Sequence, residues 1–125
     1  MNQYSIVNEL IQEVRKRLAH NPQLADIFVR CFTNTLETTI ETLEDGTTFI
    51  VTGDIPALWL RDSSAQVNHY IPLVRQDAAL QRMIRGLIQR QARFLLVDPY
   101  ASSFNREPNG QGHVGDQPEP SPWVW

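Results

Sequence analysis

Several features that define common functional classes are missing from this 125-residue sequence. Cys31 is the single cysteine, so no disulfide framework can form within the chain. His20, His69 and His113 are far apart and no cysteine pair exists, so the spacing expected of a metal site is absent. The sequence also contains no phosphate-binding loop and no G-x-S-x-G nucleophile motif. These absences exclude the best-marked metal, nucleotide and serine-hydrolase classes.

Excess positive charge and long apolar runs are also missing. Lys+Arg 11 against Asp+Glu 14 gives a net charge of −3, which is not typical of a nucleic-acid-binding protein. No apolar run approaches the roughly 20 residues that a membrane-spanning helix needs. The start, Met1–Glu9, lacks a basic region followed by an apolar run, which argues against a signal peptide. We therefore expect a cytoplasmic protein with neither a nucleic-acid nor a membrane partner.

Apolar periodicity predicts a mainly α chain with four helices. The first covers about residues 3–19, and the second runs from the Asn21-Pro22 start signal to near Thr38. The third passes through 65–71 with Ser63 or Asp62 as its cap, and the fourth covers about 77–97 with Asp77 as its cap. The inner face of the second helix is predicted to hold Leu24, Ile27, Phe28, Cys31 and Phe32, with Cys31 as a buried, inert thiol. The fourth helix carries an arginine-rich face, interpreted as solvated, with Arg82, Arg85 and Arg93 on it and Arg90 at its edge.

A β-hairpin is predicted near residues 39–52. The runs Thr39–Glu44 and Thr47–Thr52 are rich in β-branched residues and meet across Asp45-Gly46. Asp-Gly between two such runs is a strong signal for a two-residue turn. The hairpin therefore leads the chain directly into the stretch that follows it.

The stretch from Thr52 to Ser64 combines loop-forming residues with side chains suited to binding. Gly53 and Pro56 indicate a shaped loop, and the loop presents Trp59, Arg61 and Asp62. An indole face can stack on a pyranose, while arginine and aspartate supply charge-assisted hydrogen bonds to neighbouring hydroxyls. A structural ion pair beside a core tryptophan is the other interpretation, and the residues alone leave both open.

Residues 100–125 are rich in glycine and proline, a composition typical of a disordered tail. The segment ends, however, in Pro122-Trp123-Val124-Trp125, and two tryptophans in the last three positions are unusual for a solvated tail. We therefore expect the 125 residues to be the N-terminal piece of a larger protein.

The sequence from Thr52 to Ser63, TGDIPALWLRDS, resembles the signature of glycoside hydrolase family 125, the metal-independent exo-α-1,6-mannosidases. The hairpin segment LEDGTTF before it and the later residues of the glycine- and proline-rich segment are similar too: Phe104-Asn105-Arg106, Pro108-Asn109-Gly110, Gly112-His113, Asp116 and Pro122-Trp123-Val124-Trp125. The resemblance covers most of the chain from about Leu24 onward. The motif is long and holds rare residues at fixed places, so it is specific.

This resemblance implies an (α/α)6 barrel, of which residues 1–125 form the N-terminal segment of a single catalytic domain. It also implies an inverting exo-acting α-mannosidase that uses one carboxylic acid and one carboxylate base on a mannose-containing glycan, with no metal and no cofactor. By resemblance, both catalytic carboxylates lie beyond Trp125. The chain then supplies residues that bind sugar rather than residues that carry out the bond cleavage.

The resemblance also assigns roles within the chain. Trp59, Arg61 and Asp62 match the pocket of the terminal mannose, and Asn109, Gly110 and His113 match the loop that closes around it. Asp54 is expected to hold its own loop through backbone N–H groups.

Two points remain open on the sequence alone. The roles of Glu107 and Asp116 are undecided, and these are the best carboxylates here if the catalytic assignment is wrong. Another (α/α)6-barrel carbohydrase and a non-enzymatic helical interaction module are the alternative functions. The second is disfavoured by Trp59, Trp123 and Trp125, which need burial, and by the strongly specified hairpin.

If the acid and the base both lie beyond Trp125, the 125-residue chain alone should not hydrolyse α-mannosides. Loss of one general acid or base costs about 10²–10⁴ in rate, and here both are missing. The measurement is release of the aryl group from an aryl α-mannoside by the pure chain. Turnover well above a buffer control would contradict the expectation.

Overall fold

The computed structural model describes residues 2–112, 115 and 121–125. The chain is mainly helical, as predicted, and carries two small antiparallel sheets. In chain order the elements are α1 (Ser5–Arg17), α2 (Pro22–Thr38), β1 (Ile40–Thr42), β2 (Thr48–Ile50), β3 (Ala57–Trp59), α3 (Leu60–Val67), a 3-10 helix (Asn68–Gln76), α4 (Ala78–Val97) and β4 (Ser103–Asn105). Within the described residues, no helix is both long and apolar enough to cross a membrane.

The predicted helix starts are confirmed by their caps. Asn21 precedes α2, and its side chain accepts a hydrogen bond of 3.2 Å from the backbone N–H of Leu24. Asp77 precedes α4, and one of its oxygens accepts from the N–H groups of Ala79 and Leu80 at 2.9 and 3.0 Å. Both side chains satisfy backbone donors that a helix start leaves without partners.

The predicted inner face of α2 is wrong in part. Leu24 is 47% exposed and Ile27 is 58% exposed. Cys31 is exposed as well, so it is not the buried thiol that its apolar surroundings predicted. The main neighbours of α2 are α1 and β1, and they cover a face that includes Ala25 and Leu36. The apolar residues of α2 extend around more of the helix than these neighbours cover.

The hairpin near 39–52 is confirmed, but its turn is longer than predicted. β1 pairs with β2 so that Thr42 faces Thr48, and the N–H of Leu43 donates to the carbonyl of Thr47 at 2.8 Å. Three residues, 44–46, therefore form the loop. Gly46 closes it with φ 77°, and its N–H donates to the carbonyl of Leu43 at 2.9 Å. A type I turn followed by a left-handed glycine is the usual three-residue solution.

The carboxylate of Asp45 ties the hairpin loop to α4. It accepts from the Thr47 hydroxyl at 2.6 Å and the Thr47 N–H at 3.0 Å, and it pairs with Arg90 at 2.9 Å and with Arg93. The two hydrogen bonds from Thr47, with the charges of Arg90 and Arg93, hold the pKa of Asp45 well below its usual range. Arg90 is only 6% exposed, so its predicted place at the edge of a solvated face is wrong. The arginine is buried because Asp45 and Thr47 satisfy it.

Gly86 lets α4 approach the hairpin closely. A Cβ atom there would lie 2.6 Å from the hydroxyl of Thr48, 3.0 Å from its backbone nitrogen and 3.1 Å from the carbonyl oxygen of Gly46. The Thr48 hydroxyl also donates to the carbonyl of Met83, one turn before Gly86 on α4, at 2.9 Å. The helix and the hairpin therefore pack backbone to backbone at this point.

The core lies between α4 and the two sheets. Phe94 stacks on Phe104 of β4, with ring centroids 4.5 Å apart and planes within 4° of parallel. Phe49 of β2 meets Phe94 edge to face at 6.4 Å. The other fully buried large apolar side chains of this cluster, among the described residues, are Val7, Ile50, Leu58, Tyr70, Leu80 and Leu87.

Gly86→Ala should destabilise the protein by about 1–3 kcal/mol, because the added methyl overlaps the Thr48 hydroxyl, which is bonded to Met83, and crowds the backbone of Thr48 and Gly46. Alanine favours the helix over glycine by about 1 kcal/mol, so the clash must cost more than this for the variant to be less stable. Ala92→Gly, at an exposed position of the same helix, calibrates that propensity term. Urea unfolding of the three proteins measures both effects. A Gly86→Ala protein more stable than wild type would contradict the close packing.

Candidate functional site

The stretch predicted as one loop around Arg61 is in fact a strand followed at once by a helix. β3 ends at Trp59 and α3 begins at Leu60, so Arg61 and Asp62 are the second and third residues of a helix. Trp59 stands at the cap position with extended backbone and makes no side-chain cap. The predicted capping of this helix by Asp62 or Ser63 is therefore wrong. The carboxylate of Asp62 instead lies in the first turn, where the helix dipole favours negative charge.

Arg61 and Asp62 form an ion pair on the surface. The guanidinium Nη2 of Arg61 lies 3.3 Å from Oδ2 of Asp62, and the side chains are 89% and 31% exposed. An exposed pair of this kind contributes only about 0–1 kcal/mol to stability. Support of the fold is thus a weak explanation for the two charges, and both side chains are accessible to a ligand.

Trp59 is held beside this charged turn by the strand that carries it. Ala57 and Leu58 are fully buried, whereas Trp59 remains partly exposed. In the β3–β4 ribbon Trp59 pairs with Ser103 and Leu58 pairs with Phe104. The buried pair anchors β3, so the indole keeps a fixed position with part of its surface open.

Asp54 does not have the predicted role of holding the loop before β3. It is exposed and makes no side-chain hydrogen bond within the described part of the chain. Backbone contacts hold the loop instead. The N–H of Thr52 donates to the carbonyl of Ala57 at 3.1 Å, and the N–H of Ala57 donates to the carbonyl of Ile55 at 2.8 Å.

Asn105 organises the second group of predicted site residues. It is 1% exposed, and its amide nitrogen donates to the carbonyls of Gln111 and Pro122 at 2.9 and 3.1 Å and lies 3.3 Å from the carbonyl oxygen of Val124. The N–H of Gly110 donates to the same Pro122 carbonyl at 3.0 Å. The 106–112 loop is therefore fixed against the 121–125 segment, and Asn109 and Gly110 stand exposed on it.

This loop returns towards the end of the ribbon where Trp59 lies. The N–H of Trp125 donates to the carbonyl of Ser103, the partner of Trp59, at 3.1 Å. Gly112 lies against Trp125, so close that a Cβ would be 2.3 Å from its carbonyl carbon. Two strand spacings, about 10 Å, thus separate Trp59 from the chain that Gly112 contacts. His113 and Asp116 lie outside the described residues.

Glu107 forms an ion pair with Arg106 at the surface. Nη1 of Arg106 lies 2.8 Å from the Glu107 carboxylate, and the Glu107 side chain is 63% exposed. Arg106 also donates from Nε to both oxygens of Glu41, at 2.9 Å each. Hydrogen bonds and charge attraction from Glu41 raise the pKa of Arg106 above its usual value. The pairs join the start of the loop to strand β1.

Asn105 was missed as a functional residue, because an asparagine in a strand carries no sequence signal for three backbone contacts. Gln91 of α4, which contacts the start of α3, was also missed, because a glutamine on a helix carries no sequence signal for such a contact. No group of three or more metal-ligand side chains is found in the part of the chain that the structure describes. The partly exposed indole and carboxylate, with the exposed guanidinium and amide, present stacking and hydrogen-bonding groups on fixed backbone.

Comparison with known proteins identifies the family. The family model for the metal-independent alpha-mannosidases (GH125) matches residues 21–124, and the chain belongs to this family of glycoside hydrolases. This confirms the resemblance found in the sequence.

Two relatives show how far the likeness extends. A Streptococcus pneumoniae alpha-mannosidase, solved in a non-productive complex with alpha-1,6-mannobiose, is 49% identical with a TM-score of 0.90. The match covers 98% of this chain and 29% of that one. The Meiotically up-regulated gene 157 protein of Schizosaccharomyces pombe is 40% identical over 102 residues, which are 78% of this chain and 20% of the relative. The chain thus spans less than a third of the length of either protein.

Gly112→Ala should release the 106–112 loop, because the methyl overlaps Trp125 and the backbone holds φ at 131°, where alanine is strained. We expect amide hydrogen exchange of Gly110 to accelerate by about tenfold or more. Gly115→Ala is the matched control, since no atom of the described residues lies within 4 Å of a Cβ there. Equal exchange in both variants would contradict the contact with Trp125.

Proposed function

We propose that the protein carrying this chain is an inverting, exo-acting α-mannosidase that hydrolyses terminal α-1,6-linked mannose. Membership of the metal-independent alpha-mannosidases supports the reaction class. The complex of the S. pneumoniae relative with alpha-1,6-mannobiose supports the linkage. The exposed Arg61–Asp62 pair beside Trp59 is the observation that carries the proposal, since it offers a sugar both polar and stacking contacts.

In this proposal the chain supplies the pocket for the terminal mannose. Asp62 accepts hydrogen bonds from two neighbouring hydroxyls, and Arg61 orients the carboxylate and donates to the sugar. Trp59 shapes the pocket with its exposed face. Asn109 and Gly110, with His113, close around the same sugar from the loop that Asn105 fixes.

Inversion requires two further carboxyl groups about 6.5–9.5 Å apart, with room for a water between the base and the sugar. We assign both to the part of the protein beyond Trp125. The general acid protonates the leaving oxygen, while the base takes a proton from the attacking water. The residues of this chain hold the terminal mannose so that its anomeric carbon faces that water.

We also propose that residues 1–125 are the N-terminal segment of a single (α/α)6-barrel domain. Two apolar faces support this: α2 exposes Leu24 and Ile27, and α4 exposes Ile88, Leu95 and Leu96. Leu96 is 88% exposed, which is unusual for a leucine on a helix that also contributes to the core. In a double ring of helices, such faces pack against neighbours.

The two alternative functions lose their basis. A different helical carbohydrase and a non-enzymatic helical module were both compatible with the helices and the Trp-Arg-Asp stretch. Neither accounts for a family match that extends over residues 21–124. The packing of the 121–125 segment on β4 also argues against a module with a mobile tail, since Phe104 and Val124 form a bridge.

Asp62→Ala in the complete enzyme should lower kcat/KM on α-1,6-mannobiose by about 30-fold or more, about 2 kcal/mol, because a charged acceptor of sugar hydrogen bonds is lost. Much of the loss should fall on kcat, since the terminal sugar is the one distorted in the transition state. Stability should change little, because the ion pair is exposed.

Asp26→Ala is the matched control. Asp26 also forms an exposed ion pair, 2.8 Å from Arg15, but lies on α2, outside the proposed pocket. We expect its kcat/KM to equal that of the wild type. An unchanged kcat/KM with a lowered melting temperature for Asp62→Ala would remove Asp62 from the site.

A further inference from the structure

We propose that Gln91 of α4 is a positioning residue for the mannose pocket. It holds the first turn of α3 so that Arg61 and Asp62 keep a fixed orientation towards the sugar. The inference rests on the proposed function, and it adds a residue that touches neither the sugar nor the reacting atoms.

The contacts of Gln91 surround the two charged residues along the chain. Its amide nitrogen donates to the hydroxyls of Ser63 and Ser64 at 2.8 and 2.9 Å, and lies 3.3 Å from the carbonyl oxygen of Leu60. Arg61 and Asp62 lie between these acceptors in sequence. The side chain of Gln91 on α4 thus contacts α3 both before and after Arg61 and Asp62 in sequence.

The two serines close this network. The hydroxyl of Ser64 donates to the carbonyl of Leu60 at 2.8 Å, and the hydroxyl of Ser63 donates to the same oxygen at 3.3 Å. Each serine therefore donates to Leu60 while it accepts from Gln91. Such connected hydrogen bonds strengthen one another, and they fix the rotation of both hydroxyls.

Gln91 adds to the packing of α3, in which Ser63 and Val67 are buried. α3 has eight residues, and Trp59 provides no side-chain cap for its first turn. A helix of this length is marginal without tertiary contacts. The Arg61 side chain is 89% exposed, so packing within the described residues does not orient it.

Gln91 lies on α4 between two residues that attach this helix to the rest of the chain. The preceding residue, Arg90, is buried and bonded to the hairpin loop through Asp45 and Thr47. Phe94, one turn later, stacks on Phe104 of β4. A site residue held by a neighbour on a rigid element keeps its geometry, and small displacements of such residues are costly for catalysis.

The test is a double-mutant cycle in the complete enzyme, with kcat/KM on α-1,6-mannobiose as the readout. Gln91→Leu keeps the size of the side chain and removes its donors. If Gln91 acts through the charged turn, Gln91→Leu should lower kcat/KM about tenfold when Asp62 is present. The same substitution should lower kcat/KM about twofold or less in an Asp62→Ala background. Equal losses in both backgrounds would overturn the proposal, because a general loss of stability is additive.

Gln89→Leu is the matched control. Gln89 is an exposed glutamine on the same helix and takes no part in the network. Its kcat/KM should match that of the wild type.

A second measurement does not depend on activity. Amide hydrogen exchange over residues 60–64 should accelerate by about tenfold in Gln91→Leu and not in Gln89→Leu. Unchanged exchange in that turn would overturn the positioning role even if the enzyme proved to act on another glycan. Wild-type enzyme without activity on mannobiose, with faster exchange in Gln91→Leu, would instead count against the proposed substrate alone.

Discussion

The pairing of β3 with β4 is the contact on which both halves of the candidate site depend. Leu58 faces Phe104 at its centre, both are fully buried, and Phe104 in turn stacks on Phe94 of α4. One end of this ribbon leads directly into the turn with Arg61 and Asp62. The other strand leads into the loop with Asn109 and Gly110. Because the ribbon is anchored to α4, two segments far apart in sequence become neighbours on one rigid support.

Polar side chains then hold in place the segments that the β3–β4 ribbon brings together. Asn105 connects the 106–112 loop to the 121–125 segment, and Gln91 connects α4 to the start of α3. Arg90 connects α4 to the hairpin loop through its ion pair with Asp45. Each adds hydrogen bonds between segments that are distant in sequence, which helps to hold those segments together. The charged side chains of Arg61 and Asp62 remain at the surface.

The sequence predicted the elements that depend on neighbouring residues. It did not predict the features that depend on contacts between distant parts of the chain. Asn21 and Asp77 correctly predicted the starts of α2 and α4, because capping is a short-range effect. The hairpin was found from Asp45-Gly46, although its turn has one more residue. The β3–β4 ribbon was missed because its strands are short and far apart, and this pairing also turned the expected loop into a strand and a helix. The exposure of Cys31 depends on which neighbours cover α2, which no pattern within the helix records. The family resemblance predicted Trp59, Arg61 and Asp62 as sugar-binding residues, whereas the contacts of Asn105 and Gln91 were seen only in the structure.

The central claim is that this chain carries the pocket of the terminal mannose. The most direct measurement is a crystal structure of the complete enzyme with α-1,6-mannobiose bound. The account predicts a mannose ring with hydroxyls within about 3 Å of the Asp62 carboxylate and with Asn109 on the same sugar. A mannobiose held wholly by other parts of the enzyme, with the Arg61–Asp62 pair facing bulk water as it does here, would contradict it.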